Sequence, residues 1–375
     1  MLNFPPPLNT SELALLREEV RDFVRAEAPS RSYEYLGGDN RNFSRKIGAK
    51  GWIGMCWPDR YGGGERSLLE RYVVSEELVA SRAPIAFHWI GDRQAGPLLL
   101  RYGTEEQRQR VLPKIISGEC RFCIGMSEAD SGSDLASVRM KATPVNGGFV
   151  LSGAKLWTSG AHRSDYVIVL CRTSARTEAR HEGLSQFLID LRTPGIECRP
   201  IENMAGERDF NEVVFNDVFI PADALVGKLG EGWKQVGDEL ALERSGPERF
   251  LSSVGLLFEL IDLLREQAGS THAPAVGRLV AHLAAVRHLS RSVAGMLQQG
   301  QVPAVEAAVV KDIGTNLEQE MAEVARTLAG CEPDLTAAGL GGSLAQVLLR
   351  APSFTLRGGT REVLRGIIAR GIGAR

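Results

Sequence analysis

Two short segments concentrate groups able to do chemistry. Residues 126–136, MSEADSGSDLA, follow a β-rich run and crowd hydroxyls, acids and glycine into one polar turn. Such a turn offers backbone N–H groups and hydroxyls to phosphate oxygens. It reads equally as a polar loop capped by its own Asp residues. Residues 155–160, KLWTSG, put Trp157 two positions before Ser159. An aromatic plane beside a hydroxyl suits a flat heterocycle with hydrogen-bonding edges, although a Trp in a strand is more often core.

Other chemistries find little support. Cys120-x-x-Cys123 lacks a second ligand pair at zinc spacing, and the surrounding CRFCIGMSE alternates like a half-buried strand. The six cysteines are too scattered for a disulfide framework and indicate a reducing compartment. His88, His162, His181, His272, His282 and His288 form neither an H-x-x-H nor an HExxH set. There is no G-x-S-x-G elbow, which disfavours a serine thioesterase.

The elements that must position these segments are legible in outline. A chain of 375 residues holds two or three units at about 150 residues each. Up to about residue 120 the periodicity is helical, with starts at Asn9-Thr10-Ser11, near Ser67 and at Thr104. From about 121 to 225, short β runs succeed one another without helices, and Asn146-Gly147 marks a hairpin. Helices return over 232–245, 248–267, 275–299, 303–328 and 360–371, with 271–278 as a loop and Pro247 opening the second of them. The reading is α+β: an N-terminal helical domain at 1–120, a central antiparallel β domain at 121–227, and a C-terminal helical bundle at 228–375. A net charge of −2 argues against a nucleic-acid partner. No run reaches the ~20 apolar residues of a membrane span, and the first residues carry no secretory pattern, so a cytoplasmic protein is expected.

Four segments fix the resemblance: MSEADSGSDLASVRMKA, VLSGAKLWTSG, EVVFNDVFIPADALVGKLGEGW and LRGGTREVLRGIIAR, in that order. With WPDRYGG at 57–63 and RYGTEEQRQRVLPKIISGE at 101–119, they resemble the acyl-CoA dehydrogenase family of flavoenzymes over nearly the whole chain. The resemblance implies FAD as cofactor. It places Met126 and Ser127 against the flavin ring, Gly132 and Ser133 at the pyrophosphate, and Trp157 beside the isoalloxazine. Ser159 stands at a position usually held by a threonine whose hydroxyl reaches the hydride-accepting nitrogen. Thr360 and Glu362 match positions that close over the cofactor. The implied reaction is α,β-dehydrogenation of an acyl-CoA thioester, with a carboxylate taking the α-proton and an electron-transferring flavoprotein taking the electrons.

The chain departs from the commoner family pattern in two places. Many members keep their glutamate base just before the Gly-Thr of the C-terminal motif, where this chain has Gly358. Members of the isovaleryl-CoA dehydrogenase type instead place it just before an arginine on an early C-terminal helix. That position is Glu243, followed by Arg244, and Glu243 is the expected base, with Arg244 and Gly358 at the substrate. Outside that register Glu243 reads as part of a solvated helix face. This placement mildly favours a branched, cyclic or long acyl chain. The second departure concerns the motifs by which a neighbouring subunit grips the adenosine half of FAD. The stretches 264–277 and 335–346 retain only Gly341-Gly342 of them. The resemblance therefore leaves open a homo-oligomer that holds this half differently, or a heteromer with a paralogous subunit. The rival functions are a flavin monooxygenase or oxidase on the same scaffold, and a non-catalytic partner subunit of a heteromeric dehydrogenase.

Overall fold

The computed structural model describes residues 2–6, 10–28, 32–175, 177–266 and 272–374, apart from the side chains of 240–243. The chain forms two compact units, each built from separated segments.

One unit comprises Met1–Asp39, Arg66–Ile85 and Ala241–Arg375 and is helical. Helix α1 (Ser11–Glu27) starts where Thr10 Oγ1 accepts the Leu13 amide, and buries Leu13, Leu16, Val20 and Val24 on one face. Helix α3 (Leu68–Ala80) opens with a capping box between Ser67 and Glu70, which satisfies two otherwise unpaired amides. After residue 241 come α8 (Val254–Glu266), α9 (Ala273–Gln298), α10 (Ala304–Leu328), α11 (Leu340–Arg350) and α12 (Arg361–Gly371). Leu256, Leu260, Ala322, Ala325, Leu344, Val347 and Phe354 join α8, α10, α11 and the turn after it in one apolar core.

Three sequence expectations change here. Pro247 opens only a single 3₁₀ turn, Pro247–Arg249, and the α-helix begins at Val254. Helix α9 begins at Ala273, inside the stretch expected to be a loop, with Pro at its N-terminal turn, where the missing amide costs nothing. Helix α11 was not expected at all.

The other unit comprises Asn40–Glu65 and Ala86–Leu240. It holds α2 (Arg41–Ala49), α4 (Ala86–Ile90), α5 (Gly96–Tyr102) and α6 (Glu105–Ile116), then a sheet. The strands are β1 (Phe122–Gly125), β2 (Lys141–Val145), β3 (Gly148–Lys155), β4 (Tyr166–Arg172), β5 (Leu184–Asp190), β6 (Ile196–Ile201), β7 (Phe210–Pro221) and β8 (Leu225–Val226). Their order is β6-β7-β3-β2-β4-β5-β8, with β1 alongside β4. The β2–β3 hairpin turns at Asn146-Gly147, as expected, but only Gly147 of the two is left-handed, so the turn is not of the primed type with positive φ at both residues. Most pairings are antiparallel, but β1 and β2 each meet β4 in parallel. Helix α7 (Gly232–Glu243) follows, its first nine residues in this unit. Phe149, Leu151, Val167, Val169, Phe187, Val213 and Phe215 form the core under the sheet. Cys120 and Cys123 are buried free thiols whose pKa values burial pushes up, Cys120 to about 12. No metal-binding cluster occurs among the described residues.

Candidate active site

The residues 126–136 leave the end of β1 as a closed turn. Glu128 and Ser131 exchange both backbone hydrogen bonds, at 2.8 and 3.1 Å, and Ser131 Oγ donates to the Asp134 carbonyl at 3.0 Å. Met126 is half-buried against Val138, Leu170, Leu184 and Val236. Gly132 and Ser133 form the exposed crest of the turn, and the space where a Gly132 side chain would stand is open. Two backbone atoms of this segment are held from the end of β3. Leu156 N donates to the Ser127 carbonyl at 2.8 Å, and Lys155 Nζ to the Met126 carbonyl at 3.0 Å.

Beyond β3 the chain turns sharply. Trp157 sits at φ +62, a left-handed conformation that is costly for an aromatic residue and must be imposed by its surroundings. Asn211 on β7 imposes it. Its backbone carbonyl accepts the Thr158 amide, and its side-chain Nδ2 donates to the Thr158 carbonyl, both at 3.0 Å. The opposite amide oxygen, Oδ1, lies 2.8 Å from His162 Nδ1. The result leaves the Trp157 indole 55% exposed, edge-to-face with Phe210 at 6.0 Å. Ser159 is half-buried just beyond it. Thr158 Oγ1 is buried with no hydrogen-bond partner among the described residues.

In the helical unit, the positions expected at the C-terminal motif lie close to those after α7. Glu243 is the last residue of α7, and its side chain lies outside the described residues. Arg244, which follows it, is buried and donates from Nε to the Gly358 carbonyl at 3.2 Å. Gly358 and Gly359 are both left-handed, at φ +71 and +100. The Arg249 guanidinium packs where a Gly358 side chain would project, its Cζ 3.3 Å from that point. Thr360 caps α12, its hydroxyl accepting the Val363 amide. Glu362 is exposed in the first turn, and its own backbone amide and the Thr360 hydroxyl hold its carboxyl below the usual range. Helix α10 anchors the preceding turn. Glu318, fully buried, pairs with Arg357 at 2.6 Å and accepts the Ser252 amide at 2.8 Å, while Lys311 Nζ donates to the Phe354 carbonyl at 2.7 Å.

Two groups of expected residues are thus assembled, one in each unit: Met126, Ser127, Gly132, Ser133, Trp157 and Ser159 around β1 and β3, and Arg244, Gly358, Thr360 and Glu362 around α12. The first group fits the ring and phosphates of FAD. An uncovered indole, a buried hydroxyl without a partner and an open Ser/Gly crest offer stacking area and donors for a flat phosphorylated ligand. Lys155, Glu128 and Asn211, none of them expected at the site, hold the first group in place. None of the three stands out locally: Lys155 ends a largely apolar strand, Asn211 lies beside Glu212 on a strand of mixed polarity, and Glu128 sits within the polar turn itself. Of the altered cross-subunit stretches, 264–277 lies partly outside the described residues, and 335–346 runs into α11, with Gly341-Gly342 in its first turn.

Comparison with known proteins agrees along the whole chain. Family models described as the N-terminal, middle and C-terminal domains of acyl-CoA dehydrogenase match residues 10–119, 123–218 and 230–373. Among curated relatives, acyl-CoA dehydrogenase FadE34 of Mycobacterium tuberculosis is 33% identical over 371 residues, covering 96% of this chain. The match spans 49% of that protein, so the chain is about half its length. Acyl-CoA dehydrogenase IpdE1 of the same organism is 33% identical, with 91% of this chain and 89% of that protein covered. Among solved structures, the Tcur3481-Tcur3483 steroid ACAD superposes with a TM-score of 0.90 at 28% identity, covering 98% of this chain and 99% of that one. The ChsE4-ChsE5 complex from Mycobacterium tuberculosis gives 0.87 at 28% identity, with 98% of each chain covered. The chain belongs to the acyl-CoA dehydrogenase family, whose members are FAD-dependent flavoproteins.

Proposed function

We propose that this chain catalyses α,β-dehydrogenation of a bulky acyl-CoA thioester, with Glu243 as the base that takes the α-proton. FAD, when bound, accepts the β-hydride, and an electron-transferring flavoprotein is the electron acceptor in this reading. Trp157 and Ser159 would flank the ring, Met126 and Ser127 its edge, and Gly132 and Ser133 the pyrophosphate, with Thr360 and Glu362 closing over the cofactor. The observation that carries the assignment of the base is the hydrogen bond from Arg244 to Gly358. It joins the residue after Glu243 to the turn where the commoner members keep their carboxylate. A base at either address would serve one place, and only the first address holds an acid in this chain. Arg244, donating to the Gly358 carbonyl, holds the end of α7 against that turn. Gly358 leaves the space of its missing side chain to Arg249 and to substrate.

Two findings support the finer reading. A structural neighbour is described as a steroid ACAD, which agrees with the bulky substrate suggested by the position of Glu243. Two neighbours carry the names of paired proteins, which agrees with a heteromer whose second subunit grips the adenosine half of FAD.

The test is the visible spectrum of the purified protein, expressed alone and with a paralogous chain, followed by anaerobic mixing with branched, long-chain and steroid-side-chain acyl-CoAs. Flavin bleaching is expected with the bulky thioesters. Glu243→Gln should keep flavin and thioester binding and slow bleaching by about 10²–10⁴-fold, the usual loss on removing a general base. Bleaching at the wild-type rate in that variant would remove Glu243 from the mechanism. Oxygen consumption with a hydroxylated product would favour a monooxygenase instead.

A further inference from the structure

Lys155 is the last residue of β3 and its ammonium is fully buried. It makes two contacts, to the Met126 carbonyl at 3.0 Å and to Glu128 Oε1 at 2.8 Å. Glu128 is engaged further. Oε1 also accepts the Met140 amide at 2.9 Å, and Oε2 accepts the Arg139 amide at 2.8 Å. One carboxylate therefore ties the beginning of the 126–140 loop to its end, and one ammonium fastens the closed loop to the strand that delivers Trp157. The Leu156 amide, bonded to the Ser127 carbonyl, repeats that fastening one residue on.

A buried ion pair is a poor stabiliser, since desolvation consumes most of the attraction. What such a pair supplies is fixed geometry and polarised neighbours. Burial lowers the Lys155 pKa, opposed by Cys171 and Glu128. A positive charge on the Met126 carbonyl draws electron density from the Met126–Ser127 peptide and makes the Ser127 amide a stronger donor. Without the clamp, the exposed crest at Gly132 and Ser133 would have to be ordered by the ligand at the ligand's own entropic cost.

We propose that Lys155 and Glu128 are a positioning pair for the flavin. They set the spacing between the Met126–Ser127 and Trp157–Ser159 segments and strengthen the donor that Ser127 presents. This rests on the reading of those two segments as flavin-contacting.

The experiment compares FAD-loaded wild-type protein with Lys155→Met, Glu128→Gln and the double variant. It measures the melting temperature, the Kd for FAD by fluorescence titration and the reduction potential of bound flavin. Each single variant strands a buried partner and should melt lower. The double variant removes both charges and should regain much of that loss. The Kd for FAD should nevertheless stay about tenfold weaker or worse, because preorganisation is gone, and the potential should stay more negative than in wild type. A double variant with wild-type affinity and potential would reduce the pair to a structural feature and overturn the inference. If the double variant does not fold, amide exchange at Arg139 and Met140 in wild-type protein decides. Protection of both amides already present before FAD is added supports the clamp, and amides that become protected only on FAD loading overturn it. A wild type that takes up no FAD, alone or with a paralogous chain, removes the reading of the site and the inference together.

Discussion

Gly358 shows how much a single residue can settle. Its backbone is left-handed, and the Arg249 guanidinium occupies the approach to its missing side chain. Gly358→Ala should cost about 1 kcal/mol or more, since a β-carbon both strains that conformation and displaces Arg249. Urea unfolding measures this directly, and an unchanged midpoint would show that the turn relaxes freely. Asn211 is the converse case, a residue valued for the bonds it makes. Asn211→Ala removes the donor to the Thr158 carbonyl and the partner of His162. It should cost roughly 1–3 kcal/mol by leaving the carbonyl of the buried Thr158 unpaired. Trp157 should then lose its fixed orientation, seen as a drop in indole fluorescence anisotropy. At this scale the sequence marked residues that face outward from the turns, Trp157, Ser159 and the Ser/Gly crest. The residues that hold them were invisible, because Lys155 reaches back 27 positions to Glu128 and Asn211 reaches 53 to Thr158. A partner that distant leaves no local pattern.

Among the elements, α3 is stapled to two others through one carboxylate. Glu76 on α3 is buried, with Arg287 of α9 at 2.7 and 2.9 Å and Arg17 of α1 at 2.7 Å. Burial alone would raise its pKa, but the two guanidiniums overcome this and hold it below its ordinary value of 4.5. The unfolded chain therefore binds the proton first, so the stabilisation is present above about pH 4.5 and is lost as pH falls through the lower folded value. Glu76→Gln should destabilise by roughly 3–5 kcal/mol at neutral pH, the cost of breaking a buried pair. The gap from wild type should narrow as pH falls below about 4.5, and a constant gap across acid titration by circular dichroism would refute the linkage. Elements with strong ends were the legible ones: the Thr10, Ser67 and Thr104 caps each open a helix as expected. Helix α11 went unread because its first turn contains Gly341-Gly342, poor helix formers that look like a loop. Packing overrides that preference, as a side chain on Gly342 would overlap the Ala337 carbonyl oxygen.

The whole molecule keeps the order that the texture of the sequence announced, helices, then sheet, then helices. What periodicity could not show is which early helices fold with the sheet. Asn40–Glu65 and the segment from Ala86 on join the β strands, while Arg66–Ile85 joins the C-terminal helices. The two units should also respond differently to acid. In the sheet-bearing unit, His88 is fully buried against Ser44, with Nδ1 2.8 Å from Oγ, and burial lowers its pKa to about 4 from 6.5. The unfolded chain takes up this proton first, so His88 withdraws stability as pH falls from 6.5 toward 4, by as much as roughly 3 kcal/mol. Glu76 leaves the helical unit unaffected over most of that window. Amide protection factors, corrected for the intrinsic pH dependence of exchange, should therefore fall between pH 7 and 5 in α4 and the segments packed on it before they do in α3. Equal loss of protection in both would refute the assignment, and His88→Gln should remove the effect.

The backbone twist at Trp157 also gives the chain a built-in optical gauge. Of five tryptophans, Trp52, Trp57 and Trp89 are buried, Trp233 is 37% exposed, and Trp157 is the most open at 55%. Its emission should lie furthest to the red, and a ligand that covers the indole should quench it or move it to the blue. Occupancy of the site can thus be followed by excitation near the red edge of the indole band, without label or substrate, with Trp157→Phe as the blank.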